Sequence, residues 1–171
     1  MGIYLIRHAK TLTPWSIEPD SPLSPHGISQ AQALGESWRP PKVDVILTSP
    51  LKRALQTAEI VASIWSANVK IEKGLGEIPC PHSERSKRQT FLETILKSDW
   101  SDIQTSPIHQ WRSEVLQTAR ELSAPTVAIT HYLTINAIYG ATTSNNAVDC
   151  FNPAHCTPVE FNRTTLRGLE P

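Results

Sequence analysis

The 171-residue chain has no surplus of charge, with 16 basic side chains set against 16 acidic ones. A nucleic-acid binder needs an excess of Lys and Arg to displace counterions along a phosphate backbone, so an extended polyanion is not an expected partner. Cysteine is scarce: Cys80, Cys150 and Cys156 form an odd set without any Cys-x-x-Cys pairing. That usage suits free thiols in a reducing compartment rather than a disulfide framework. No run approaches the roughly 18 apolar residues of a membrane span, and Met1–Ile6 passes at once to Arg7 and His8 without a signal-peptide core. A soluble, cytoplasmic protein with no membrane partner is the expectation. No His-x-x-x-His or Glu-x-x-His pair occurs, so no metal is expected.

The chain does have a regular alternation of short apolar runs and longer amphipathic ones. Gly2–Arg7, Val43–Thr48, Val69–Glu72 and Thr126–Thr130 read as strands. Ser24 with Pro25 caps a helix running towards Trp38, and Ser49–Pro50 repeats that start for a long helix burying Leu51, Ala54, Leu55, Ala58, Ile60, Val61 and Ile64. Further helices are expected over Glu84–Leu96, from Ser106–Pro107 to near Pro125, and over His131–Tyr139 with Gly140 as its stop. Pro158–Asn162 and Thr164–Leu169 read as a terminal hairpin. Strands separated by helical segments imply a single α/β domain over residues 1–171 with a mostly parallel central sheet.

In such a sheet, ligands bind beyond the carboxyl ends of the strands. Arg7 and His8 end the first strand, Ser49 to Arg53 follow the second, Glu77 follows the third, and Thr130 and His131 end the fourth. Two arginines and two histidines on one edge, with helix N-termini beside them, suit a compact phosphate dianion. His8 is the candidate nucleophile, provided its other ring nitrogen is held as a donor. His131 can donate to phosphoryl oxygens that gain charge, and Glu77, if neutral, can protonate a leaving oxygen. Arg7 and His8 are neighbours, so they share a pocket only if the chain turns there. His26, His82, His109 and His155 lack such company and read as surface or capping residues.

The same residues resemble a known family. Leu5-Ile6-Arg7-His8-Ala9-Lys10-Thr11 resembles the Arg-His-Gly signature of the histidine phosphatase superfamily. Pro22 to Ala31 resembles its Leu-Thr-x-x-Gly-x-x-Gln-Ala helix entry, and Thr48-Ser49-Pro50-Leu51-Lys52-Arg53-Ala54-Leu55-Gln56-Thr57-Ala58 follows its Ser-Pro-Leu-x-Arg-Ala-x-Gln-Thr-Ala block closely. Leu75-Gly76-Glu77 and Val127 to His131 fit its later segments. The resemblance implies a phosphoglycerate mutase-like three-layer α/β/α sandwich and a phosphohistidine at His8. It also implies a phosphate pocket completed by Arg7, Arg53 and His131, Glu77 as the acid, and no cofactor. Thr11 and Tyr132 are expected to contribute to substrate binding.

Several positions depart from the pattern. Ala9 and Tyr132 stand where Gly usually follows each histidine, and Pro14 replaces a phosphate-binding Asn. Cys80 to Arg85 replaces a Phe-Gly-x-Trp-Glu-Gly segment with only Glu84 in register, which makes Glu84 the alternative acid. His82, Arg85, Lys87 and Arg88 read as a solvated turn or, if that loop folds over the site, as added positive charge at its mouth. The short segment between Glu72 and Ser106 favours a phosphomonoester hydrolase acting on a small phosphorylated metabolite or a phosphoprotein. A catalytically weak phosphate-binding domain and a phosphoglycerate-type mutase are the alternative readings.

Overall fold

A computed structural model describes residues 2–40, 42–104 and 106–169. Five strands form one sheet: β1 (Ile3–Arg7), β2 (Val45–Thr48), β3 (Asn68–Ile71), β4 (Thr126–Thr130) and β5 (Pro158–Phe161), in the order β3-β2-β4-β1-β5. Only β5 runs antiparallel, pairing with β1 on the outer edge. Six α-helices accompany them: α1 (Pro25–Ser37), α2 (Lys52–Trp65), α3 (Arg85–Ile95), α4 (Ser106–Glu121), α5 (Tyr132–Thr143) and the short α6 (Arg163–Arg167).

The alternation of side chains along each strand divides the interior into two cores. In β1, Ile3 and Leu5 face the core built with α4, α5 and α6, while Ile6 faces the core built with α1 and α2. In β4, Ala128 joins the first core and Val127 and Ile129 the second. The parallel register aligns Leu5 with Ala128 and Ala128 with Leu47, so the two faces continue across the sheet. The central strand β4 is buried at every position, as expected of a strand covered on both sides. The result is a three-layer α/β/α arrangement with strands β1, β2 and β4 ending on one edge.

Local chemistry accounts for the helix boundaries and for four departures from expectation. Ser24 does cap α1, its hydroxyl accepting from Gly27 N at 3.0 Å. Ser49 does not cap α2, which starts at Lys52; Asp20, from the preceding loop, accepts from Lys52 N at 2.7 Å instead. Ile64 is 41% exposed on the outer side of α2, because the sheet-facing stripe runs through Ala54, Ala58, Val61 and Trp65. Helix α5 continues through Gly140 to Thr143 and ends on Ser144 at φ 54°, the left-handed residue a helix stop requires. The expected terminal hairpin is a strand followed by a helix: Asn162 caps α6 by accepting from Thr164 N at 2.8 Å, and Leu166 plugs the core. No helix among the described residues is long and apolar enough to cross a membrane.

Candidate active site

His8 follows directly on the last residue of β1, and its backbone N still donates to Thr130 O at 2.9 Å. Its ring is locked at both nitrogens. Nδ1 lies 2.7 Å from Ala9 O, and since a carbonyl only accepts, Nδ1 carries the proton. Nε2 receives Nε–H of Arg53 at 3.1 Å, so this nitrogen holds the lone pair. Burial, and next the Arg53 charge, push the His8 pKa well below the ordinary imidazole range, so the ring is neutral at neutral pH. Arg53 itself is buried in the first turn of α2 and also donates to Pro19 O at 2.7 Å.

His131 is fully buried, immediately before α5, with its ring centroid 5.1 Å from that of His8. Its Nε2 lies 2.7 Å from Ser49 Oγ, and its Nδ1 has no hydrogen-bond partner. Ser49 Oγ also accepts from Leu51 N at 3.3 Å, so this hydroxyl links the histidine to the entrance of α2. Burial, then Arg53, then His8 hold the His131 pKa well below the usual value.

Glu77 leaves the 3-10 turn Lys73–Leu75, with Oε1 accepting from Ile78 N at 2.9 Å and Oε2 from Leu133 N at 3.3 Å. Part of the side chain reaches the cleft, yet desolvation of the carboxyl outweighs those bonds and the nearby arginines, and its pKa is raised. The neutral acid is thereby favoured.

Arg7, His8, Arg53, Glu77 and Tyr132, among others, line a cleft of about 260 Å³, while His131, fully buried beside His8, is not part of that lining. Arg7 places its guanidinium 4.9 Å from the centre of the Tyr132 ring, a cation–π contact, and donates to Pro153 O at 3.2 Å. Tyr132 donates its hydroxyl to Asp149 at 2.6 Å, and burial followed by that bond pushes its pKa up to about 12. The chain does turn at His8, because β1 ends at Arg7, and both side chains share the cleft.

Thr11 does not line this cleft either. It bridges to Leu23, and its hydroxyl donates to Thr13 O at 2.8 Å, within its own loop. Glu84 precedes α3 on the surface, paired with Lys87 at 2.8 Å, and is not part of the cleft lining. Arg88 adds no charge to the mouth either. It is buried and donates to Ser16 O at 3.0 Å and Ile17 O at 2.8 Å, clamping the loop after β1.

Two contributors escaped the sequence reading. His155 reaches back from the segment before β5, its Nδ1–H donating to His8 O at 2.6 Å with the rings 5.6 Å apart. Trp15, in the proline-rich loop, lines the cleft. Neither stands at a parallel-strand end; the one available signal was His155 three residues before an apolar run that could pair as a strand. Among the described residues, no group of three or more His, Cys, Asp or Glu side chains is placed to hold a metal ion.

Comparison with known proteins bears on the family and the fold. The model of the histidine phosphatase superfamily (branch 1) matches residues 3–167. Probable phosphoglycerate mutases of Klebsiella pneumoniae and Salmonella choleraesuis are 38% and 34% identical over 84 and 99 residues, 46% and 54% of this chain. Those matches cover 38% and 45% of the relatives, so the chain spans less than half the length of these curated proteins. A phosphoserine phosphatase of Entamoeba histolytica, solved with 3-phosphoglyceric acid, superposes with a TM-score of 0.69 at 21% identity, covering 94% of this chain and 95% of that one. A mycobacterial glucosyl-3-phosphoglycerate phosphatase gives 0.65 at 17% identity, with 90% and 87% covered. At these identities the likeness is one of fold. Matched over nearly its whole length, with Arg7, His8 and Arg53 at one cleft and His131 packed beside His8, the chain belongs to the histidine phosphatase superfamily.

Proposed function

We propose that the protein is a phosphomonoester hydrolase working through a phosphohistidine at His8. The observation that carries this reading is the locked ring: Nδ1–H is spent on Ala9 O and Nε2 keeps its lone pair beside Arg53. An anion binder needs charge but gains nothing from a desolvated imidazole held in one tautomer. In the proposed cycle Arg7 and Arg53 hold the phosphoryl oxygens, and Nε2 attacks phosphorus. As the ester P–O bond breaks, the leaving oxygen takes the Glu77 proton. His131, with Ser49 on Nε2, offers Nδ1–H to the oxygens that gain charge. Glu77, now a carboxylate, takes a proton from water, the water oxygen attacks phosphorus, and the P–N bond breaks to release phosphate and restore His8.

Hydrolysis is favoured over phosphoryl return because Arg7 and Arg53 are the only cations lining the cleft among the described residues, and nothing else there would retain an anionic product. Two solved neighbours named as phosphatases are consistent with it, while the curated relatives are named as mutases. The test is rapid mixing with an aryl phosphate followed by quenching in base, where phosphohistidine survives. The wild type is expected to accumulate base-stable, acid-labile enzyme phosphate, and His8→Ala to form none while losing at least ~10³-fold in turnover. Turnover that persists in His8→Ala overturns the nucleophile, and quantitative return of label to an added diol overturns the hydrolase.

A further inference from the structure

The wall of the cleft has a chemistry of its own. Above the charged floor it is made by Trp15, Ile78, Leu92, Leu96, Tyr132 and Leu133. Three of these come from devices that serve no evident purpose in holding a phosphate. Arg88 and Leu92 on α3 and Leu96 at its C-cap stand four residues apart and so form one stripe along the helix. The top of that stripe, Arg88, pins the backbone of Ser16 and Ile17. That clamp brings the loop carrying Trp15 onto α3, where its ring stands 6.5 Å from Phe91. The lower two residues, Leu92 and Leu96, complete the wall while remaining only partly buried. A charged-looking helix thus presents hydrocarbon, not charge, to the site.

The polar groups of the wall are already committed. Tyr132 gives its hydroxyl to Asp149, so its ring is what remains for a ligand. Arg7 and Arg53 each spend one NH1 on a backbone carbonyl, and among the described residues the lining adds no further cation to pair with a second anion.

Resting on the hydrolase reading above, we propose that the site selects phosphomonoesters whose leaving group is compact, apolar and uncharged, of about the size of one aromatic ring, over esters carrying a carboxylate or second phosphate. The phosphoryl group lies on Arg7 and Arg53 at the floor. The hydrocarbon lies against Trp15, Leu92, Leu96 and Leu133.

The test separates this selectivity from turnover. Binding is measured by titration calorimetry with benzylphosphonate and with 3-phosphonopropionate, which share the phosphonate and differ in ring against carboxylate. Benzylphosphonate is expected to bind at least ~10-fold tighter, the scale of a filled apolar subsite. In parallel, kcat/KM is compared for benzyl phosphate and 3-phosphoglycerate, both esters of poor leaving groups, with the same preference expected. Replacing Leu92 and Leu96 together by Gln is expected to shrink both ratios by at least ~10-fold, and replacing them by Met to preserve them. Equal or tighter binding of the carboxylate compound, or tighter binding of a phosphonate-bearing peptide, overturns the proposal. Absence of turnover with every ester overturns the hydrolase reading instead, and the phosphonate ratio still decides the selectivity.

Discussion

Arg53 points its Nε–H at the Nε2 lone pair of His8 across 3.1 Å, so the group that would bind phosphate also occupies the nitrogen that would attack it. The contact makes the two roles exclusive until an anion arrives. A phosphoryl group entering the cleft competes for the guanidinium, and each N–H that turns to phosphate oxygen uncovers the nucleophile. Activation of His8 is in this way tied to occupancy of the site.

Removing that guanidinium has two separable consequences. Arg53→Ala is expected to lower kcat/KM by about 10²–10³-fold, the scale of losing one preorganised charged donor at a transition state. It also removes the second-largest influence depressing the His8 pKa, so the histidine titrates at higher pH in the variant, measurable by NMR of the ring protons. Loss of activity with an unmoved His8 titration would contradict the contact.

The pH profile of kcat/KM follows from two opposed shifts. His8 must be neutral, and its pKa lies well below 6.5; Glu77 must be protonated, and its pKa lies above 4.5. Activity is expected to fall on the acid side as His8 takes a proton and on the alkaline side as Glu77 loses one, giving a bell. Glu77→Gln is expected to flatten the alkaline limb and to slow alkyl phosphates more than aryl phosphates. Equal slowing of both would reassign the acid.

His155 holds the nucleophile through its backbone rather than by touching substrate. With Nδ1–H donating to His8 O at 2.6 Å, it fixes the residue at the point where the chain leaves β1. His155→Phe keeps the ring and deletes the donor, and is expected to lower kcat about 10-fold with little change in KM. His155→Asn, which retains an N–H, is expected to recover part of that loss; a change confined to KM would place His155 in binding instead.

The strand ends were legible because periodicity locates strands and parallel sheets put chemistry at one edge, so Arg7, His8, Glu77 and His131 could be listed together. Glu77 joins them only through a 3-10 turn, and Arg53 only because Asp20, rather than Ser49, starts α2. What periodicity cannot show is contact between distant irregular segments. His155 lies 147 residues from His8 and meets it because β5 pairs antiparallel with β1. Arg88 read as surface charge, since nothing in its own helix reveals that two carbonyls of the distant loop after β1 wait for it. Thr11 failed for the converse reason, its loop offering the hydroxyl a nearer acceptor.

Gly27 marks a packing constraint one step behind the nucleophile. A Cβ there would sit 2.0 Å from Lys10 O, the carbonyl that also accepts from Ser24 N at 3.0 Å. Gly27→Ala must push α1 away from the chain two residues past His8. A loss of about 1–3 kcal/mol in stability is expected, together with reduced turnover. Denaturant unfolding checks the first; Gly35→Ala, which would meet only the Ile64 side chain, is the milder comparison.

Stability should itself depend on pH through the buried imidazoles. In the unfolded chain His8 and His131 titrate near 6.5, whereas in the fold both lie well below it. Between those values the unfolded state binds more protons, so stability present above pH 6.5 is lost as pH falls, by up to about 1.4 kcal/mol per pH unit for each histidine. Glu77 acts in the opposite sense: its raised folded pKa adds stability at low pH that disappears as pH rises through that value. The histidines are two against one, so Tm is expected to drop between pH 7 and 5. Glu77→Gln should steepen the drop by removing the opposing proton, and His131→Asn should make it shallower. A Tm that is flat across this range would mean that the two rings accept protons in the folded state, which their burial beside Arg53 opposes.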